Sequence, residues 1–144
     1  MRYSGLFSIL ALAMLFFGCS KDKFDTRPTI KLKSVNTTQL NSGEVLQFII
    51  SFTDSEGDIS NSIYVQKVEP HCPMSNFSQE YSLPDVPPMK NIDGDLIVSF
   101  GYNKPPYVQI GPRCAQNDTA VFRFALKDKA GNVSDTISSP SIII

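Results

Sequence analysis

Apolar and polar residues alternate one by one along several short stretches of this chain. In residues 44–52, Leu46, Phe48, Ile50 and Phe52 alternate with Val45, Gln47, Ile49 and Ser51. Side chains that repeat every second residue share one face of a β-strand, so this stretch predicts a strand with one face buried. Residues 120–127 repeat the design, with Phe122, Phe124 and Leu126 on one face and Val121, Arg123, Ala125 and Lys127 on the other. Leu96, Val98 and Phe100 do the same in residues 95–101, and shorter candidates lie at 29–35, 63–68, 106–110 and 133–144. No stretch after residue 27 keeps an apolar stripe at helical spacing free of Gly, Pro or β-branched crowding. The pattern predicts an all-β, antiparallel sandwich.

Seven short strands punctuated by Gly, Pro, Asn and Asp match an Ig-like or fibronectin type III-like architecture. The Trp of antibody-type domains is missing, because the chain has none. Residues 69–91 resist the pattern: Pro70, Pro73, Pro84, Pro87 and Pro88 exclude a central strand there. A long loop with a short edge strand at residues 79–82 is expected, and long loops on rigid sandwiches are where binding functions sit.

The first eighteen residues differ in kind from the rest. Arg2 is followed by an apolar run from Leu6 to Phe17 broken only by Ser8, long enough for a signal-peptide core and short of the ~20 residues that span a bilayer. Leu15-Phe16-Phe17-Gly18-Cys19 resembles the lipobox of bacterial lipoproteins, in which the cysteine thiol takes a lipid and its freed amine is acylated. The resemblance implies cleavage before Cys19, lipidation of Cys19 and attachment to a membrane through that lipid. Three regions follow: a signal peptide at 1–18, a polar tether at 19–27 and one domain at 28–144. The charged stretch after Cys19 also resembles the export signal of Bacteroidetes lipoproteins, which implies an outer membrane lipoprotein, periplasmic or surface-facing.

Charge narrows the partners. The formal net charge of −1 becomes slightly more acidic once Arg2 is removed, and no basic cluster marks a phosphate-reading face, so nucleic acid is excluded as an expected partner. Of three cysteines, Cys72 and Cys114 remain after Cys19 is assigned to lipid. An even pair in an exported chain predicts a disulfide. The rival, a metal site of His71 with both thiols, lacks the four ligands of a structural zinc site.

Two turns carry the most suggestive chemistry. Asp54-Ser55-Glu56-Gly57-Asp58 follows the second strand and Asp128-Lys129-Ala130-Gly131-Asn132 follows the sixth. In a seven-stranded sandwich these turns emerge at the same end, where Asp54, Glu56, Asp58, Asp128 and Asn132 would offer the hard oxygen ligands that Ca2+ takes. The alternative is that Gly57 and Gly131 permit tight turns and the polar groups face water. Together the two motifs, FTDSEGDI and LKDKAGN, resemble those of small Ig-like lipoproteins of Bacteroidetes and, more distantly, cadherin-like and bacterial Ig-like repeats. That resemblance bears on fold more than on function.

For catalysis the inventory is thin, with one His and no G-x-S-x-G elbow, so a non-catalytic binding or spacer module is the expectation. The alternatives are a small hydrolase using Asp93 and Asp95 and a glycan-binding accessory protein stacking sugars on Tyr102 and Tyr107. The unknown partner is accordingly a protein or a glycan. Asp118-Thr119-Ala120 and Asp135-Thr136-Ile137 resemble the O-glycosylation signal of exported Bacteroidetes proteins, which points to Thr119 and Thr136.

Overall fold

The computed structural model describes residues 26–59, 61–87, 89–114 and 119–144. The period-two stretches become strands: β1 (Thr29–Val35), β2 (Val45–Asp54), β3 (Ser62–Val68), β4 (Phe77–Ser82), β5 (Ile92–Gly101), β6 (Val108–Gln109), β7 (Thr119–Lys127), β8 (Ile137–Ser138) and β9 (Ile142–Ile143). A single 3-10 turn, Pro73–Ser75, interrupts the β3–β4 connection. One sheet runs β1-β2-β5-β6; the other runs β4-β3-β7-β8, with β9 also on β7. The fold is the expected all-β sandwich.

Between the sheets the alternating faces interlock. Leu46, Phe48 and Ile50 of β2 and Phe122, Phe124 and Leu126 of β7 are completely buried. Phe48 packs on Phe122 and Phe124 with centroids 5.0 and 5.1 Å apart, and Phe100 lies 5.4 Å from Phe122. Rings at these separations and tilts join the two sheets through favourable aromatic contact as well as buried area.

Three strands differ from expectation. The 106–110 candidate shortens to β6 and pairs parallel to β5, Phe100 with Val108, where an antiparallel neighbour was expected. The connection, residues 102–107, curls on itself, with the Tyr107 N–H donating to the Lys104 carbonyl at 3.2 Å, so the chain comes back beside the end of β5 running in the same direction, and the Ile110 N–H donates to the Gly101 carbonyl at 2.8 Å. The 133–144 candidate breaks into β8 and β9 around Pro140, which lacks the ladder donor. Serine hydroxyls repair the gaps, since Ser134 Oγ accepts the Leu126 N–H at 2.9 Å and Ser139 Oγ accepts the Phe122 N–H at 3.0 Å. The edge strand foreseen at 79–82 begins earlier, at Phe77.

The strand order gives the domain two distinct ends. Thr29 pairs with Thr53, so the entering chain lies beside the C-terminal end of β2. Ser62 pairs with Lys127, which brings the β7–β8 loop to that same end. The β1–β2, β3–β4 and β5–β6 loops occupy the opposite end. These are the entry end and the far end.

Candidate functional site

Alternation carries polar side chains into the gap between the sheets at both ends. On β2 the inward series Leu46, Phe48, Ile50, Phe52 continues to Asp54, and on β7 Phe122, Phe124, Leu126 continues to Asp128. Asp54 is 3% and Asp128 0% exposed. Buried carboxylates need partners. Asp54 Oδ2 accepts the N–H groups of Gly57 at 2.8 Å and Asp58 at 3.0 Å, closing its own turn. Asp128 Oδ1 accepts the Asn132 N–H at 2.7 Å, and its Oδ2 accepts Asn132 Nδ2 at 2.8 Å.

The two turns meet as the strand count predicts. The Lys129 N–H donates to the Asp58 carbonyl at 2.9 Å, the Ala130 N–H donates to Asp58 Oδ2 at 3.0 Å, and Asn61 Nδ2 donates to the Asp128 carbonyl at 2.8 Å. Two carboxylate oxygens, Asp54 Oδ1 and Asp58 Oδ1, are buried there without a hydrogen-bond partner. Glu56 is exposed and stands outside the junction. Among the described residues, no three His, Cys, Asp or Glu side chains converge closely enough to form a metal-holding group. Asp128 and Asn132 engage each other, so the oxygens left unpartnered at the junction are Asp54 Oδ1 and Asp58 Oδ1. The junction also holds the incoming chain: Asn132 Nδ2 donates to the Thr26 carbonyl at 3.1 Å, and Arg27 donates to the Val133 carbonyl at 3.0 Å.

At the far end the inward series of β3, Ile63 and Val65, continues to Lys67 and Glu69, 1% and 2% exposed. Their side chains meet as an ion pair, and Lys67 Nζ also donates to Ser75 Oγ at 2.8 Å. Sequence reasoning passed over this pair, although alternation through Val65 was the signal for it. Cys72 and Cys114 are joined in a disulfide, S–S 2.02 Å, which ties the β3–β4 loop to the segment before β7 and leaves neither of these two thiols for zinc at His71.

The remaining expected residues scatter. Asp95 Oδ2 is salt-bridged to Lys33 at 2.6 Å, and Asp93 sits exposed two residues before it on β5. Tyr102 is half-buried while Tyr107 is 39% exposed. Thr119 and Thr136 are exposed; Asp118 and Cys19, with the expected signal peptide and most of the expected tether, lie outside the described residues. Among the described residues no helix is long and apolar enough to cross a membrane. A groove of about 430 Å³ separates β4 from β5, lined by Tyr81, Leu83, Leu96 and Val98 among others; burial there raises the Tyr81 hydroxyl above its ordinary pKa.

Fold and loops together define a two-sheet β-sandwich with differently built ends. The chain matches no family model and no curated protein. Among solved structures it is similar to Spo0M, a sporulation control protein from Bacillus subtilis, with 8% identity and a TM-score of 0.45. The likeness covers 81% of this chain and 49% of that one, so the chain spans about half of that protein's length.

Proposed function

We propose that this protein is a non-catalytic, lipid-anchored module of the bacterial outer membrane, related to small Ig-like lipoproteins, that binds or spaces a protein or glycan partner. The observation that carries the reading is the clamped entry of the chain. Thr26 and Arg27 are bonded to the 132–135 segment, so the lipid on Cys19 would hold the domain by its entry end and leave the far-end loops free. Thr119 and Thr136, both exposed, are the positions at which O-glycosylation is proposed.

Calcium belongs to the same reading. The orphaned oxygens of Asp54 and Asp58 suit a hard cation, which would complete its shell from backbone carbonyls and water. Bound Ca2+ would offset the buried acidic charge and stiffen the point where the tether enters. The anchoring test is Cys19→Ser expressed in a bacterial host: the variant should lose the lipid mass and leave the membrane fraction. Membrane association and mass identical to the unsubstituted protein would overturn the proposal.

A further inference from the structure

The far end carries a cleft assembled from four separated segments. The β1–β2 loop from Gln39 to Ser42, Tyr102 after β5, Pro112 after β6, and Ile143 with Ile144 line a cavity of about 210 Å³. A second, shallower cavity of about 450 Å³ shares Gln39 and Asn41 and runs on along the same loop to Glu44. The two adjoin at Gln39 and Asn41 and together make a track, with Tyr102 in the wall of the smaller one.

The track is built in advance of any ligand. The Tyr102 N–H donates to the Glu44 carbonyl at 3.1 Å, the Gly43 N–H donates to the Tyr102 carbonyl at 2.7 Å, and Leu40 N–H donates to Ile143 at 2.8 Å. Asn103 Nδ2 fastens the β5–β6 loop to Ser42 Oγ at 2.9 Å. A Cβ at Gly111 would stand 3.1 Å from the Tyr102 ring, so the ring lies directly on bare backbone.

Local bonds account for some of the polar groups and leave others open. Asn36 spends its amide on Val45 and Gln47, Thr37 closes its own turn, and Glu44 Oε2 is taken by Asn41. Among the described residues the Gln39 amide, Asn41 Oδ1 and the Tyr102 hydroxyl keep no protein partner. The floor is apolar, with Leu40 and Ile144 buried, and no charged side chain lines the smaller cavity.

An aromatic ring, an apolar floor and uncharged amides at the rim match the two-sided surface of a sugar, whose ring carbons are apolar and whose hydroxyls donate and accept. An anionic ligand would find no cation to pay its desolvation. We infer that this cleft binds a neutral oligosaccharide, one residue seated against Tyr102 and the next contacting Gln39 and Asn41. The inference deepens the binding-module reading, resting on it only for the cleft's outward orientation. Binding in solution does not need the lipid, so this inference and the anchoring fail separately.

The test is a titration of the purified 15N-labelled chain with neutral oligosaccharides of glucose, mannose, galactose and N-acetylglucosamine, beside an oligouronate and a short neutral peptide. Side-chain amide resonances of Gln39 and Asn41 should move, and tyrosine emission should respond undisturbed, since the chain has no Trp. Tyr102→Ala should weaken binding about tenfold, equivalent to about 1.4 kcal/mol. The paired Gln39→Ala and Asn41→Ala changes, both at surface positions, should do the same with an unchanged circular-dichroism spectrum. No response to any neutral oligosaccharide at millimolar concentration would overturn the inference. Binding that survives both sets of substitutions, or that favours the oligouronate or the peptide, would overturn it equally.

Discussion

The two ends of the sandwich solve the same problem in opposite ways. Each receives polar side chains because inward alternation runs one step past the apolar core: Asp54 and Asp128 at the entry end, Lys67 and Glu69 at the far end. The far end neutralises itself, with the Lys67–Glu69 pair closed over by Ser75 and secured by the Cys72–Cys114 disulfide. The entry end buries acids alone. Its carboxylates lean on backbone N–H groups, and no salt bridge reaches Asp54, Asp58 or Asp128 among the described residues. A buried charge with an internal partner makes a fixed plug, whereas buried charge without one makes a place whose stability depends on what the solvent supplies.

The contrast can be broken first at the far end, where the largest effect is expected. Glu69→Ala strands the Lys67 ammonium and should cost about 3–5 kcal/mol in chemical denaturation, whereas the double change Lys67→Met with Glu69→Leu should be close to neutral. Equal losses in both would show that packing rather than charge is at stake. Reducing the disulfide frees a loop with a sequence separation of 42, and a loss of roughly 2–4 kcal/mol is expected from restored chain entropy. Any calcium response should persist in the reduced protein, because the bond lies at the other end.

Smaller effects probe the entry end. Gly57 has φ +75, and a Cβ there would stand 1.9 Å from the Met89 carbonyl oxygen. Gly57→Ala should therefore destabilise by at least about 1–3 kcal/mol through backbone strain alone, and an unchanged melting temperature would refute that packing. Calcium about tenfold above its dissociation constant should add roughly 1.4 kcal/mol, read as a rise in melting temperature that EDTA reverses and Asp58→Ala abolishes. Identical midpoints with EDTA and with calcium would leave the junction as two turns and no cation site.

Much of the fold was legible because its core strands obey a strict period of two: Leu46 to Phe52 and Phe122 to Leu126 face inward as written. The meeting of residues 54–58 with 128–132 followed from strand order, and the disulfide from cysteine arithmetic in a chain whose first residues resemble an export signal. Other features had no local signal. The parallel pairing of β6 depends on how a tight proline loop returns to β5, and the broken last strand depends on Ser134 and Ser139 reaching N–H groups on β7. Lys67 and Glu69 were hidden by their charge, since charged residues at a strand end ordinarily mark its exit into water. The Gln39–Tyr102 cleft draws on four segments far apart in the sequence, with the β1–β2 loop bonded both to Ile143 and to Tyr102 and Asn103. Tyr102 was visible in the sequence as an exposed-aromatic candidate, but its companions were not.

The polarity of the domain at a membrane is the claim on which the rest turns. β2 alone spans roughly 34 Å, enough to separate the two ends clearly by distance-dependent relaxation. The direct measurement places the lipidated, 15N-labelled protein on vesicles or nanodiscs bearing a paramagnetic headgroup and compares amide relaxation at the two ends. The account predicts strong enhancement at residues 54–58 and 128–135 and little at 39–44 and 102–107. Equal enhancement at both ends, or the reverse order, would contradict it.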